Sequence, residues 1–355
     1  MTDEHAGLLA GPGSGPGGAP TAIALSPILS ARYRSQDLER IRDAAPGARI
    51  VTLSREGLTD EPVDDVEVLL RGWLSSDAFD RLLARAPRLR YVHSASAGVE
   101  RALTPAARER GVVITNARGV FSRPIAEYVL MMILAVSRRL PGLLELQRER
   151  TWQPLEGVEL RDVTVGIVGL GSIGRAVGAL ATAFGCRVVA VRRRSEAGSG
   201  SATTDDEGRP FGEVMLARVG GPESLPELLA ESDFVVLAAP LTPETENMID
   251  ASALAAMKPT AWLINVARGR LIDERALLDA LREGRIGGAV LDTFREEPLP
   301  PSSPFYDLEN VIVTPHTSWS SGRVLDRSVE LFCNNLRRYA AGEPLLNVVD
   351  PAAGY

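Results

Sequence analysis

From Ala22 onward, short apolar runs alternate with amphipathic stretches of helical period. The runs at Ala22–Leu25, Arg49–Leu53, Val66–Leu70, Leu89–His93 and Val112–Thr115 read as strands. A second series follows at Thr164–Val168, Arg187–Val191, Met215–Val219, Phe234–Ala238, Ala261–Asn265, Gly288–Asp292 and Asn310–Thr314. Strand and helix patterns in alternation predict an α/β fold, and runs apolar on both faces predict parallel sheets covered on both sides. Between the series, Ser122–Leu140 reads as one long connecting helix, with Ser122 or Arg123 as cap, Pro124 in the first turn and Glu127 complementing the dipole. A last helix from about Gly322 to Ala341 is long enough to carry the chain back to its first part. The expected organisation is therefore one domain, 122–319, inserted into a discontinuous one, 21–121 with 320–355. The Gly-, Pro- and Ala-rich residues 1–20 read as a disordered tail, and Ser195–Asp206 as a surface loop.

Composition narrows the function classes. The 355 residues are 45% hydrophobic, enough to build two cores. With 39 basic against 46 acidic residues the net charge is -7, which argues against a broad grip on nucleic acid or an anionic membrane. Two cysteines, Cys186 and Cys333, make neither a disulfide framework nor a multi-cysteine metal site, and no metal is expected. The most apolar run, Tyr128–Val136, falls far short of the roughly 20 residues that span a bilayer. The N-terminus lacks a basic start followed by an apolar core, so the expected location is the cytoplasm.

The run Val165-Gly-Ile-Val-Gly-Leu-Gly-Ser-Ile-Gly174 places Gly169, Gly171 and Gly174 directly after a strand and at the start of a helical stretch, with Ser172 and Ile173 between them. Gly169 permits a tight turn, Gly171 lets backbone approach a pyrophosphate, and Gly174 lets helix and sheet pack closely, while the helix N-terminus attracts anionic oxygens. A second strand follows the helix at once, which completes the βαβ context that a dinucleotide site requires. At the end of that strand an acidic ribose ligand is usual, but here stands Arg192-Arg193-Arg194. Arg192 and Arg193 can meet a 2′-phosphate with charge-assisted bonds, so NADP(H) is favoured over NAD(H); a solvated basic turn is the plainer alternative.

Polar residues cluster after the last strands: Asn265-Val-Ala-Arg268-Gly269, Asp292, Glu296-Glu297-Pro298 and Thr314-Pro315-His316. Carboxyl ends of parallel strands border the ligand crevice of an open sheet, so these residues are expected to converge there. Reduction of a 2-oxo acid needs hydride, a proton for the forming alkoxide, and positive charge to orient the carboxylate and polarise the carbonyl. His316 suits the proton transfer, Glu297 the stabilisation of its imidazolium, Arg268 the permanent charge, and Asp292 the holding of the nicotinamide. Of the other histidines, His5 falls in the tail and His93 ends an apolar strand.

With these residues in view, the chain resembles the D-isomer-specific 2-hydroxyacid dehydrogenases over roughly Ala22–Val349. The resemblance rests on GLGSIG at 169–174, LPELLAESDFVVLAAPLTPET at 225–245, NVARGRLIDERALLDALREGRIGGAVLDTFREEPLP at 265–300 and TPH at 314–316. It implies two Rossmann-like or flavodoxin-like domains, the inserted one binding dinucleotide and the discontinuous one binding substrate. It also implies catalytic Arg268, Glu297 and His316, a nicotinamide contact from Asp292, and a homodimer formed through the cofactor domains. Ser94-Ala-Ser-Ala-Gly-Val-Glu100 is similar to the family's substrate loop, so carboxylate binding is carried to the backbone of Ala97 and Gly98. The expected reaction reduces a small 2-oxo acid, of glyoxylate or hydroxypyruvate type, to the D-2-hydroxy acid. A different class uses the same fold: a nicotinamide-sensing corepressor that binds protein partners and keeps the same residue types. Measured turnover separates the two. In the formate-type relatives glutamine replaces the glutamate, so Glu297 counts against that chemistry.

Overall fold

A computed structural model describes residues 17–28, 33–193 and 212–351. Most of the expected tail, Arg194 and the Ser195–Asp206 loop lie outside the described residues. The chain divides into two compact units, one built from the residues up to Val120 together with those from Gly322 on, the other from Phe121–Ser321.

In the first unit β1 (Ala22–Leu25), β2 (Arg49–Thr52), β3 (Val66–Arg71), β4 (Tyr91–Ser94) and β5 (Val113–Asn116) form a sheet in the order β2-β1-β3-β4-β5, parallel throughout. Its helices are α1 (Ser35–Ala44), α2 (Ser76–Arg85), α3 (Pro105–Glu109) and the C-terminal helix Val324–Ala341. Alternate strand residues serve opposite faces: Ile23, Leu25, Val68, Leu70 and Tyr91 pack with Phe332 and Leu336 of the C-terminal helix. Ala22, Ala24, Leu69 and Val92 pack with Phe79 and Leu82 of α2. This two-sided burial is why the strands read as continuous apolar runs.

The second unit begins with α4 (Ser122–Ser137) and α5 (Leu140–Arg148). It continues through β6 (Thr164–Val168), α6 (Ser172–Ala183), β7 (Arg187–Val191), β8 (Leu216–Gly220), α7 (Leu225–Glu231), β9 (Phe234–Leu237) and α8 (Ala251–Ala256). It ends with β10 (Trp262–Asn265), α9 (Glu274–Arg282), β11 (Gly288–Leu291) and β12 (Val311–Val313). The strands pair in parallel in the order β12-β11-β10-β9-β6-β7-β8, so chain order reverses between β6 and β9. One face of this sheet packs on α4 and α6, the other on α7, α8 and α9.

Three expectations need correction. The connecting helix is not continuous: it stops at Ser137, Arg139 turns left-handed with φ 58, and α5 restarts at Leu140. Pro141 explains the break, because proline carries no N–H for the carbonyl four residues back, and the Ser137 carbonyl accepts from Val158 N–H instead at 2.8 Å. Neither Ser122 nor Arg123 caps α4; the cap position is Phe121, Ser122 Oγ is buried without a partner among the described residues, and Glu127 pairs with Arg123 at 3.2 Å. Within the expected tail, Pro20 is buried and Gly18 N–H donates to the Ala340 carbonyl at 2.6 Å, so this stretch is tied to the end of the C-terminal helix. Several strands shift by a residue or two. β4, for example, starts at Tyr91 because Leu89 N–H is spent on a turn to the Ala86 carbonyl at 3.1 Å. No helix among the described residues is long and apolar enough to cross a membrane.

Candidate active site

The glycines after β6 are required by space. Gly169 has φ +101, and a Cβ there would lie 2.6 Å from Ala239 N beyond β9, the neighbouring strand across the order reversal. At Gly174 a Cβ would lie 2.1 Å from the Gly169 carbonyl oxygen, so helix and turn touch backbone to backbone. At Gly171 a Cβ would meet nothing within 4 Å, which marks the open side of the cradle. Helix α6 starts there, and the first-turn N–H groups of Ser172, Ile173 and Gly174 give its N-terminus the partial positive charge that suits a pyrophosphate. After β7, Arg192 N–H donates to the Gly220 carbonyl at 3.0 Å, while its Nε is buried with no hydrogen-bond partner among the described residues. Arg193 is exposed, and its charge acts on Glu244. The cradle therefore fits a dinucleotide, with an orphaned guanidinium nitrogen at the strand end where the adenosine ribose is held.

Further along the same carboxyl edge, the loops after β10, β11 and β12 carry the chemistry. Buried Asn265 holds the first of them: its Nδ2 donates to the Arg268 carbonyl at 2.9 Å and its Oδ1 accepts from Ala267 N–H at 3.0 Å. Gly269 lets that loop touch the next one, since a Cβ there would fall 2.0 Å from the Phe294 carbonyl carbon. Arg268 is thereby brought near Glu297 and acts on it electrostatically; one of its guanidinium nitrogens donates to the Ala267 carbonyl at 2.8 Å. Glu297 Oε1 accepts from Phe294 N–H at 3.0 Å, and its Oε2 lies 2.8 Å from His316 Nδ1. Partial burial raises the Glu297 pKa, but the bonds from His316 and Phe294 and the charges of His316 and Arg268 outweigh it and hold the carboxyl below its ordinary range. With Nδ1 turned to Glu297, Nε2 is the nitrogen of His316 left to face a ligand.

The structure gives Asp292 a set of partners that sequence reasoning did not foresee. It is fully buried, its Oδ1 accepts from Thr314 Oγ1 at 2.6 Å and Thr317 N–H at 2.8 Å, and its Oδ2 accepts from Ser318 N–H at 3.0 Å. It thus anchors the segment on either side of His316. That residue sits at φ 48 with its N–H bonded to the Thr314 carbonyl at 3.0 Å and its own carbonyl accepting from Trp319 Nε1 at 2.7 Å. Trp319 also packs edge-on against Phe121, with ring centroids 6.5 Å apart. Thr314 belongs to the TPH motif at 314–316, but its bond to Asp292 and the Trp319 bond to the His316 carbonyl had no sequence signal.

In the first unit, Ala97 and Gly98 lie partly exposed in the loop after β4. Their carbonyls turn toward the protein: Asn116 Nδ2 donates to that of Ala97 at 2.9 Å and Ser96 Oγ to that of Gly98 at 2.7 Å. His93 is fully buried on β4, with Nδ1 2.7 Å from Thr115 Oγ1, and burial lowers its pKa to about 3.

A nucleotide cradle at the strand-order reversal, with a histidine, carboxylate and arginine on the same sheet edge, defines a nicotinamide-dependent dehydrogenase. The model of the D-isomer specific 2-hydroxyacid dehydrogenase NAD binding domain matches residues 130–318. A glyoxylate reductase of Korarchaeum cryptofilum is 34% identical over 324 residues, covering 88% of this chain and 90% of its own. The D-3-phosphoglycerate dehydrogenase of Mycobacterium tuberculosis is 37% identical over 291 residues, 81% of this chain but 51% of its own length. Among solved structures, a D-isomer specific 2-hydroxyacid dehydrogenase from Xanthobacter autotrophicus Py2, in complex with NADPH and MES, superposes with TM-score 0.79 at 32% identity over 95% of this chain and 100% of that one. The NADPH-dependent glyoxylate/hydroxypyruvate reductase of Sinorhizobium meliloti, with NADP and sulfate, gives 0.74 at 28% identity over 94% and 100%. The chain belongs to the D-isomer specific 2-hydroxyacid dehydrogenase family. It is an oxidoreductase that moves hydride between NAD(P)H and a 2-oxo acid.

Proposed function

We propose that this enzyme uses NADPH in preference to NADH to reduce a short 2-oxo acid, of the glyoxylate or hydroxypyruvate type, to its D-2-hydroxy acid. The observation that carries the chemistry is the His316–Glu297 pair, 2.8 Å apart, with the charge of Arg268 beside it. The dinucleotide, when bound, supplies the hydride that reduces the carbonyl carbon. His316 gives the proton from Nε2 to the oxygen that becomes the hydroxyl, and takes it back in the reverse direction. Glu297 holds Nδ1 and stabilises the imidazolium, while Arg268 orients the carboxylate and polarises the carbonyl. The backbone N–H groups of Ala97 and Gly98 contribute to carboxylate binding, on a loop whose carbonyls are tied back by Asn116 and Ser96. NADPH preference is supported by Arg192 and Arg193 after β7, where an acidic ribose ligand is usual, and relatives crystallised with NADPH or NADP point the same way. The proposed location is cytoplasmic.

We also propose a homodimer. Helix α5 has no buried residue, and Leu140, Leu144, Trp152 and Val158 leave an apolar surface on and after it. Trp152 is fully exposed at 101%. An amphipathic helix owes its stability mainly to covering its apolar face, and a second copy of this chain supplies that cover.

The test is a panel of glyoxylate, hydroxypyruvate, pyruvate and bulkier branched or aromatic oxo acids with each cofactor, followed by chiral analysis of the product. Highest kcat/KM on a two- or three-carbon oxo acid with NADPH and a D product is expected. Preference for a bulky acid, or an L product, overturns the reading, and absence of turnover on every acid favours the corepressor-like role.

A further inference from the structure

Tyr128 stands on α4, outside every motif that marks the site, yet its hydroxyl lies 2.6 Å from Thr314 Oγ1. The direction of the bonds follows from donor counting. The Thr314 hydroxyl has one proton, and it goes to the carboxylate of Asp292 at 2.6 Å. Its lone pairs remain to accept, so Tyr128 donates to Thr314. Burial, with a contribution from the charge of Asp292, pushes the Tyr128 pKa up to about 12, so it keeps that proton over the working range of the enzyme. Thr314 stands two residues before His316, and its carbonyl accepts the His316 N–H at 3.0 Å. The same Asp292 holds Thr317 and Ser318 on the other side.

We infer that Tyr128 is a positioning residue for proton transfer: through Thr314 and Asp292 it fixes the backbone that presents His316 to Glu297 and to substrate. Because α4 packs along α6, the helix that opens the dinucleotide cradle, the hydroxyl ties the His316 segment to the scaffold that holds the cofactor. The inference rests on His316 being the proton-transfer residue.

Tyr128→Phe removes one oxygen and keeps the ring that packs in the core. A lost hydrogen bond of this kind corresponds to roughly a two- to tenfold effect. Turnover should fall by that factor with KM for oxo acid and dinucleotide unchanged. The His316 ring resonances, followed by NMR at one pH, should move as the contact with Glu297 loosens. Thr314→Val should act through the same contact, so that Tyr128→Phe adds little to it, whereas Thr314→Ser keeps the hydroxyl and should restore turnover. Wild-type kcat and unmoved His316 ring resonances in Tyr128→Phe overturn the inference, as does equal impairment by Thr314→Ser and Thr314→Val. His316→Ala separates this from failure of the underlying reading: it should lower turnover by about 10²- to 10⁴-fold while dinucleotide binding survives. Near-normal turnover there removes the proton-transfer assignment itself.

Discussion

His93 and Arg192 illustrate two fates of a buried nitrogen. His93 lies under Phe332 and beside Tyr91 and Thr115, with its Nε2 unpartnered among the described residues, so the folded state holds it neutral with a pKa lowered by burial from 6.5 to about 3. The unfolded chain binds a proton at this site below about pH 6.5, which makes the stability contribution full above that pH and progressively lost as pH falls toward the folded value. Between pH 6 and 4 the wild type should lose up to about 1.4 kcal/mol of unfolding free energy per pH unit from this residue, and His93→Gln should lose less. Urea midpoints at two pH values check this; identical pH dependence in both proteins removes the attribution. Arg192 differs because it follows β7, where the proposed adenosine ribose would lie, and its Nε has no partner among the described residues. One or two charge-assisted bonds to a 2′-phosphate give about tenfold to several-hundredfold preference in kcat/KM for NADPH. Arg192→Asp should reverse that preference, and a wild type favouring NADH, or no shift in the variant, would show a solvated turn instead.

At the scale of elements, the glycine turn and α5 make separable predictions. Gly171→Ala introduces a Cβ into open space, so thermal stability should stay near wild type while the dissociation constant for dinucleotide rises, because the methyl stands where a pyrophosphate approaches. Gly174→Ala places its Cβ against the Gly169 carbonyl and should lower both stability and binding. A binding titration and a thermal melt of each variant separate the roles, and equal stability of the two variants would contradict the packing argument. For α5, Trp152→Ser should shift the protein from dimer toward monomer in light scattering after size exclusion. A wild type that is already monomeric rejects the proposed interface. The end of α4 was legible to within three residues, since Pro141 stands just past Leu140 in the sequence; that a second helix restarts at Leu140 was not legible.

Across the whole molecule, each buried cluster draws on residues of one unit only. The second unit is also a single stretch of chain, Phe121–Ser321. Expressed alone as residues 121–321, it should fold cooperatively and bind dinucleotide, because the glycine turn and the two clusters that pack its sheet lie within it. Circular dichroism and fluorescence quenching by NADPH read this out, and a fragment that fails to fold shows that the first unit supplies stability the clusters do not reveal. The first unit is assembled from both ends of the chain and should not fold when the C-terminal helix, with Phe332 and Leu336, is removed.

What the sequence determined by itself was whatever has a local cause. Strand positions follow from apolar runs buried on both faces, the cradle from glycines at fixed spacing after a strand, and the candidate chemistry from scarce residue types at strand ends. Tertiary structure alone decided which groups meet. Gly269 pressing on Phe294 brings Arg268 near Glu297, and Asp292 is turned inward to Thr314, Thr317 and Ser318. Tyr128 reaches Thr314 across 186 positions of sequence. Period and propensity report the environment of a residue along its own element, whereas a hydrogen bond between distant elements depends on the register in which strands and helices pack, and no local pattern carries that register.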